Sequence, residues 1–158
     1  MKLEIKLCLL FILLTCITCD GTLGGFSTIR FPTSKAKIKI AIDSLYSKYP
    51  EYKIPSKWDD NDNWSKRGYD FLESHIFYFK DTPEEMYYIS FIGDEETFKD
   101  TTHIDIAIRS VFTNRNQKWL KQEEFGKDEE NRIQTRFKNE IVSKLEKYTN
   151  TKSKDLEN

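Results

Sequence analysis

The sequence predicts an α+β fold: a small antiparallel sheet with two helices packed on one face, in the order β-α-β-β-β-α. Three observations carry this expectation. Apolar residues recur at helical spacing in two separate stretches, one near each end of the folded region. Between them, two aromatic-rich runs, SHIFYFK at 74–80 and EMYYISFI at 85–92, flank a proline-containing turn, the signature of a β-hairpin. The run HIDIAIRSVF at 103–112 then alternates with period two. Each helix has one apolar stripe to bury, and one face of a sheet accommodates both.

The elements follow in order. FSTIRF at 26–31 places Ile29 and Phe31 on one side and Thr28 and Arg30 on the other, a first strand that Pro32 ends. Ser34 is a helix cap, and Ile38, Ala41, Ile42, Leu45 and Tyr49 continue at helical spacing until Pro50 stops them, which predicts a helix over 35–48. Residues 50–70 are polar and read as irregular. The hairpin follows, and Gly93 with 94–102 forms a second loop. In the next strand Ile104, Ile106, Ile108 and Phe112 face one way, and His103, Asp105 and Arg109 the other. The connection 113–127 is polar apart from Trp119-Leu120, a short edge strand in this reading. Ile133, Phe137, Ile141, Leu145 and Tyr148 then mark an amphipathic helix over 128–148. The domain spans 26–149. Residues 150–158 have little to bury and read as a flexible tail. No internal repeat or low-complexity tract interrupts the chain.

Both alternating sets of the hairpin are apolar. Ile76 and Tyr78 oppose Phe77 and Phe79, and Met86, Tyr88 and Ile92 oppose Tyr87, Ile89 and Phe91. Two helices cannot cover both faces of such a sheet. Either the tryptophan-bearing 50–70 segment shields the outer face, or that face is an exposed aromatic surface.

At 158 residues the chain makes one domain, large enough to fold without disulfides. Without residues 1–18, which hold Lys2, Lys6 and Glu4, 23 basic residues face 25 acidic ones. That balance gives no electrostatic basis for binding nucleic acid or an anionic membrane surface.

All three cysteines, Cys8, Cys16 and Cys19, fall in the first nineteen residues, and the 139 that follow contain none. Lys2 and Lys6 precede an apolar run from Leu7 to Leu14, and Ile17 extends it. The stretch from Leu7 to Thr18 has the length of a signal-peptide core and is too short to span a bilayer of about 30 Å. The run ends in LLTCITCDGTLGG at 13–25.

This stretch resembles a bacterial lipoprotein signal, in which a small residue precedes the cysteine that is processed. The resemblance covers about the first 20 residues and implies diacylglyceryl attachment to the cysteine sulfur, with cleavage just before it. Cys19 is the favoured site, because the apolar core before it has normal length and Asp20-Gly21 opens a tether. Cys16 is the alternative, with Leu13 three places before it. A threonine stands where Gly, Ala or Ser is usual in both cases. An ordinary cleaved signal and an uncleaved anchor are the competing readings. On the lipoprotein reading, residues 1–18 are the signal, Cys19 carries lipid, 20–25 form a flexible tether, and the protein sits in the cell envelope, anchored to a membrane and facing the periplasm or exterior.

The residues that could carry chemistry are few. No GxSxG elbow occurs, and no thiol follows Cys19. The two histidines, His75 and His103, lie on predicted strands, where a histidine needs no function; no catalytic residue is assigned. Asp59, Asn61, Asn63 and Asp70 stand at positions 1, 3, 5 and 12 of a calcium-loop count. Trp64 replaces the required glycine and Asp70 the longer glutamate, so a solvated turn-rich loop is the better account. Gly24-Gly25 follows no strand and lacks a P-loop lysine. Glu84-Glu85 and Glu95-Glu96 lie in turns, where acidic side chains are expected to be solvated. No cofactor is expected.

The strongest candidate surface is aromatic: Trp58, Trp64 and Tyr69 from the loop, with Phe77, Phe79, Tyr87 and Phe91 from the hairpin. Such residues suit recognition but are also what cores are made of. The expected function is a non-enzymatic binding or interaction module whose partner is an envelope protein or a small apolar ligand. An envelope immunity or inhibitor protein, an apolar-ligand carrier and a small hydrolase are the alternatives.

Overall fold

A computed structural model of the chain describes residues 26–61 and 73–156. Six antiparallel strands form one sheet: β1 (Thr28–Phe31), β2 (Ser74–Phe79), β3 (Glu85–Ile92), β4 (Ile104–Thr113), β5 (Lys118–Leu120) and β6 (Lys154–Leu156). The order across the sheet is β2-β3-β4-β1-β6, and β5 pairs with β4. Helix α1 (Lys35–Lys48) follows β1. A second helix, α2, is α-helical over Lys127–Phe137, π-helical over Lys138–Val142 and α-helical again over Ser143–Thr149. The architecture is the α+β sheet-and-two-helix fold that the apolar patterning predicts; β5 is the short edge strand read at Trp119-Leu120, and β6 is added to the expected order.

Local chemistry sets the ends of the first helix. The Ser34 hydroxyl accepts the Lys37 backbone N–H at 3.3 Å, occupying one donor left free at the N-terminus. Pro50 opens a 3₁₀ turn, Pro50–Tyr52, immediately beyond α1. A second 3₁₀ stretch, Ser56–Asn61, gives order to part of the region that reads as irregular.

The main core lies between the sheet and both helices. Ile38, Ala41, Ile42 and Leu45 of α1 and Ile133, Phe137, Ile141, Val142 and Leu145 of α2 meet Ile29, Phe31, Phe77, Phe79, Tyr87, Ile89, Phe91, Ile104, Ile106, Ile108 and Val111. At roughly 1.5–3 kcal/mol for each large apolar side chain buried, this layer supplies the main stabilising term.

A smaller cluster occupies the opposite face: Ile76, Met86, Tyr88 and Phe112, with Ile54, Trp58, Tyr78 and Trp119 against it. Phe112 is on this face rather than with Ile104, Ile106 and Ile108, because the register shifts between two pairs: Tyr88 opposes Ser110, and Ile89 opposes Ile108. One residue of β3 therefore answers two of β4, a bulge at Arg109, and a single inserted residue exchanges the faces of everything beyond it. At Gly93, φ is +138° and a Cβ would come within 2.7 Å of the Thr97 side chain, so the turn after β3 requires glycine.

The segment expected to be a loose tail is held. Asn150 adopts the left-handed conformation at the end of α2 and turns the chain back. The Glu146 carboxylate accepts the Ser153 N–H and hydroxyl at 2.8 and 2.9 Å and pairs with Lys152. Lys138 meets Asp155 at 2.8 Å, and β6 pairs with β1 from Thr28↔Leu156 to Arg30↔Lys154. These ties are polar, so apolar periodicity carries no trace of them. Among the described residues, no helix is long and apolar enough to cross a membrane.

Candidate functional site

One concave site lies beside β2, at one edge of the sheet. Tyr46 of α1, Lys53, Ile54 and Asp59 of the 3₁₀ region, and Ser74, His75 and Ile76 of β2 line an open cleft with a volume of about 510 Å³. Tyr46 fixes its wall. The Tyr46 hydroxyl donates to the Ile76 carbonyl at 2.7 Å, and its ring stacks on Phe77 with centroids 5.1 Å apart. That bond also occupies a carbonyl on the edge of β2, where β3 cannot reach.

His75 lies on the helix side of the sheet, with its ring 6.0 Å from Phe91 in an edge-on contact and 6.4 Å from Tyr46. Burial depresses its basicity; Lys39 adds to the effect, while Glu73 and Asp43 oppose it. The imidazole is therefore neutral at pH 7. Its Nε2 is buried and has no hydrogen-bond partner among the described residues. Next to it, Glu73 accepts Lys35 at 2.8 Å and Lys39 at 2.5 Å. Burial alone would raise the Glu73 carboxyl, but the two lysines outweigh it and hold the group below its ordinary value. Successive strand residues point to opposite faces, so Ser74 and His75 do not form a nucleophile–base pair.

A second constellation surrounds Glu84 on the outer face. Its carboxylate accepts Tyr78 Oη and Lys57 Nζ, each at 2.5 Å, and Trp58 Nε1 at 3.3 Å. The bonds from Lys57 and Tyr78 hold Glu84 below its ordinary value, and burial together with Glu84 pushes Tyr78 up to about 12. Trp58 is thereby fixed against Phe112, centroids 5.1 Å apart, and Trp119 contacts the same ring at 5.8 Å.

The third constellation is inside. Glu85 is fully buried at its side chain and binds Arg132, Arg136 (3.2 Å) and the Tyr87 hydroxyl (2.9 Å). Arg132 also forks onto Glu129, and Arg136 bridges to Glu140 and donates to the Pro83 carbonyl. Every charge here is answered, so the network fastens the hairpin turn to α2, and Arg132, Arg136 and Glu140 also line an open groove of about 590 Å³ beside Pro83.

These positions revise the aromatic surface that the sequence predicts. Phe77, Phe79, Tyr87 and Phe91 are core residues under the helices, while Trp58 is on the other side of the sheet. The single patch is divided by the pleat. Trp64 and Tyr69 lie outside the described residues, as do Cys16 and Cys19. Of the calcium-loop positions, Asp59 is exposed on a 3₁₀ turn that Asn61 ends, and Asn63 and Asp70 lie outside the described residues. Among the described residues, no group of three His, Cys, Asp or Glu side chains is placed to hold a metal. His103 pairs with Asp100 at 3.0 Å, and Asp105 takes both its bonds from Arg30 at 2.8 Å. Glu84 and Glu85, expected to be solvated, are both engaged. Sequence reasoning missed Tyr46 and Ile54 as cleft residues; the nearest signal was Tyr46 beside the Leu45 stripe.

No protein-family model, curated protein or solved structure matches the chain.

Proposed function

We propose that the chain is a lipid-anchored protein of a bacterial cell envelope whose single domain is a non-enzymatic binding module. The observation that carries this reading is the cysteine distribution. All three thiols lie in the first nineteen residues, the last two close an apolar run of signal-peptide length, and none follows. A thiol confined to that place has an addressing role. The cleft beside β2 is the surface assigned to binding. It joins the apolar walls of Tyr46, Ile54 and Ile76 to the polar groups of Lys53, Asp59 and His75, the composition of a small recognition site.

The test is the intact mass and detergent partitioning of the protein from a bacterial host, with Cys19→Ala and Cys16→Ala beside the parent. A lipid-sized increase in mass and partition into detergent, both abolished by Cys19→Ala alone, are expected. A water-soluble product of unlipidated mass sinks the anchor.

A further inference from the structure

We propose that the corner of the domain formed by Phe26, β5 and the 3₁₀ turn Gln122–Glu124 faces the phospholipid bilayer, so that the opposite sheet edge, β2 with its cleft, is turned toward the aqueous side. The inference rests on the lipidated Cys19 proposed above and adds to it a bound set by chain length.

Phe26 is a fixed point. It is 1 % exposed, its N–H donates to the Ile108 carbonyl at 3.2 Å, and its ring lies 6.0 Å from that of Phe125. Strand β1 pairs with β4 up to Ile106, and β5 pairs with β4 from Val111 onward. Phe26 thus fills the notch between β1 and β5 on one side of β4. On the other side come β3 and then β2, so the outermost strands at this end, β5 and β2, are three spacings apart, about 14 Å. The cleft lies beyond β2.

Seven Cα–Cα links join Cys19 to Phe26. Whatever conformation they adopt, they span at most about 25 Å. A domain of this size has a radius of gyration of about 14 Å and a diameter of about 36 Å. If the Phe26 corner pointed away from the membrane, the chain would have to pass around the whole body to reach a lipid in the headgroup layer, and it is too short to do so. Lipidation at Cys16 would extend the limit to about 35 Å, nearly the diameter of the domain, and relax the constraint.

The charges at the corner show that the tether, not attraction, sets the orientation. Lys118, Lys121 and Lys127 are interleaved with Glu123, Glu124 and Asp128, and Lys118 is paired with Glu124 at 3.2 Å. No cationic excess is present to seek anionic lipid.

The experiment uses the lipidated full-length protein in phosphatidylcholine vesicles containing a nickel-chelating lipid. Cleavage before Cys19 removes Cys8 and Cys16, and acylation occupies Cys19, so one introduced cysteine can be spin-labelled alone. Lys121→Cys reports the corner and Lys53→Cys the cleft; both native residues are exposed. Relaxation of the nitroxide by headgroup nickel is expected to be several-fold faster at 121 than at 53, and equally so when anionic lipid is added. A Gly-Ser insertion of about 20 residues between Gly25 and Phe26 is expected to erase the difference. Equal relaxation in a lipidated product overturns the orientation alone. A difference that survives the insertion overturns the tether as its cause. A product without lipid overturns the anchor, and the orientation with it.

Discussion

Glu85 is the residue on which the hairpin and the second helix depend. A carboxylate with a fully buried side chain is costly unless it is paired, and Arg132, Arg136 and Tyr87 together supply the partners. The hydroxyl of Tyr87 holds its proton far more tightly than usual, through burial first and the adjacent Glu85 charge second. Removing the carboxylate leaves two guanidinium groups facing each other under the Pro83 turn. Glu85→Ala is therefore expected to destabilise the domain by about 3–5 kcal/mol, read as a fall in the urea midpoint at unchanged slope. A loss of less than about 1 kcal/mol would class the network as a surface ion pair. In the sequence, Glu85 is indistinguishable from its neighbour Glu84: both follow a proline in a turn. Strand pairing separates them, by carrying Glu85 to the helix side opposite Thr113.

At the scale of elements, the π-helical turn in α2 follows from the spacing of its buried residues. Ile133, Phe137, Ile141, Leu145 and Thr149 recur every four residues, whereas an α-helix turns once in about 3.6, so the stripe drifts by roughly 40° per step. Over four steps a uniform α-helix would carry Thr149 almost to the far side. The wider π turn at Lys138–Val142 absorbs one residue and returns the stripe to the sheet. With one residue removed there, the buried positions fall at α-helical intervals of their own accord. Deleting exposed Asn139 is thus expected to leave the fold intact as a straight helix, at a cost of no more than about 1–2 kcal/mol. Inserting one alanine after Asn139 is expected to rotate the second half by about 100° and unfold the domain. Far-ultraviolet circular dichroism melts of the two variants check this; equal damage from both would refute the register argument. The helix itself was legible from its stripe, as were α1 and the strands β1 to β4. The interruption was not, because a four-residue repeat still reads as helical. The Arg109 bulge escaped for a related reason: alternation fixes faces only while no residue is inserted, so Phe112 was assigned to the wrong side. Strand β6 and the cleft beside β2 rest on polar and tertiary contacts that no periodicity encodes.

For the molecule as a whole, titration behaviour summarises how the two layers are held together, and it sets a pH window for stability. Folded His75 binds its proton less tightly than the unfolded chain, whose ordinary value is 6.5, with burial the leading cause. Protons therefore favour unfolding as the pH falls through 6.5. Around the ring, Glu73 and Asp43 oppose this effect, Lys39 reinforces it, and Lys53 and Asp59 share its cleft. Glu73, Glu84, Glu129 and Glu146 act lower on the scale. Each is held below its ordinary 4.5 by bonds to basic, hydroxyl or backbone groups, so their contribution is intact above that value and is lost beneath it. At the alkaline end, Tyr52, Tyr78 and Tyr87 hold their protons beyond the ordinary 10.0, chiefly through burial, so stability is lost as the pH rises past 10. Lys144, lowered by burial between the rings of Tyr49 and Tyr52, opposes that loss in part. Urea midpoints are thus expected to form a plateau from about pH 7 to 10, a shallow decline just below 6.5, and a steep one below 4.5. His75→Phe keeps an aromatic ring against Phe91 and is expected to remove the shallow limb while leaving the steep one. A wild-type midpoint that stays constant from pH 7 to about 5, or a shallow limb that persists in His75→Phe, would show that the ring titrates as it does in the unfolded chain.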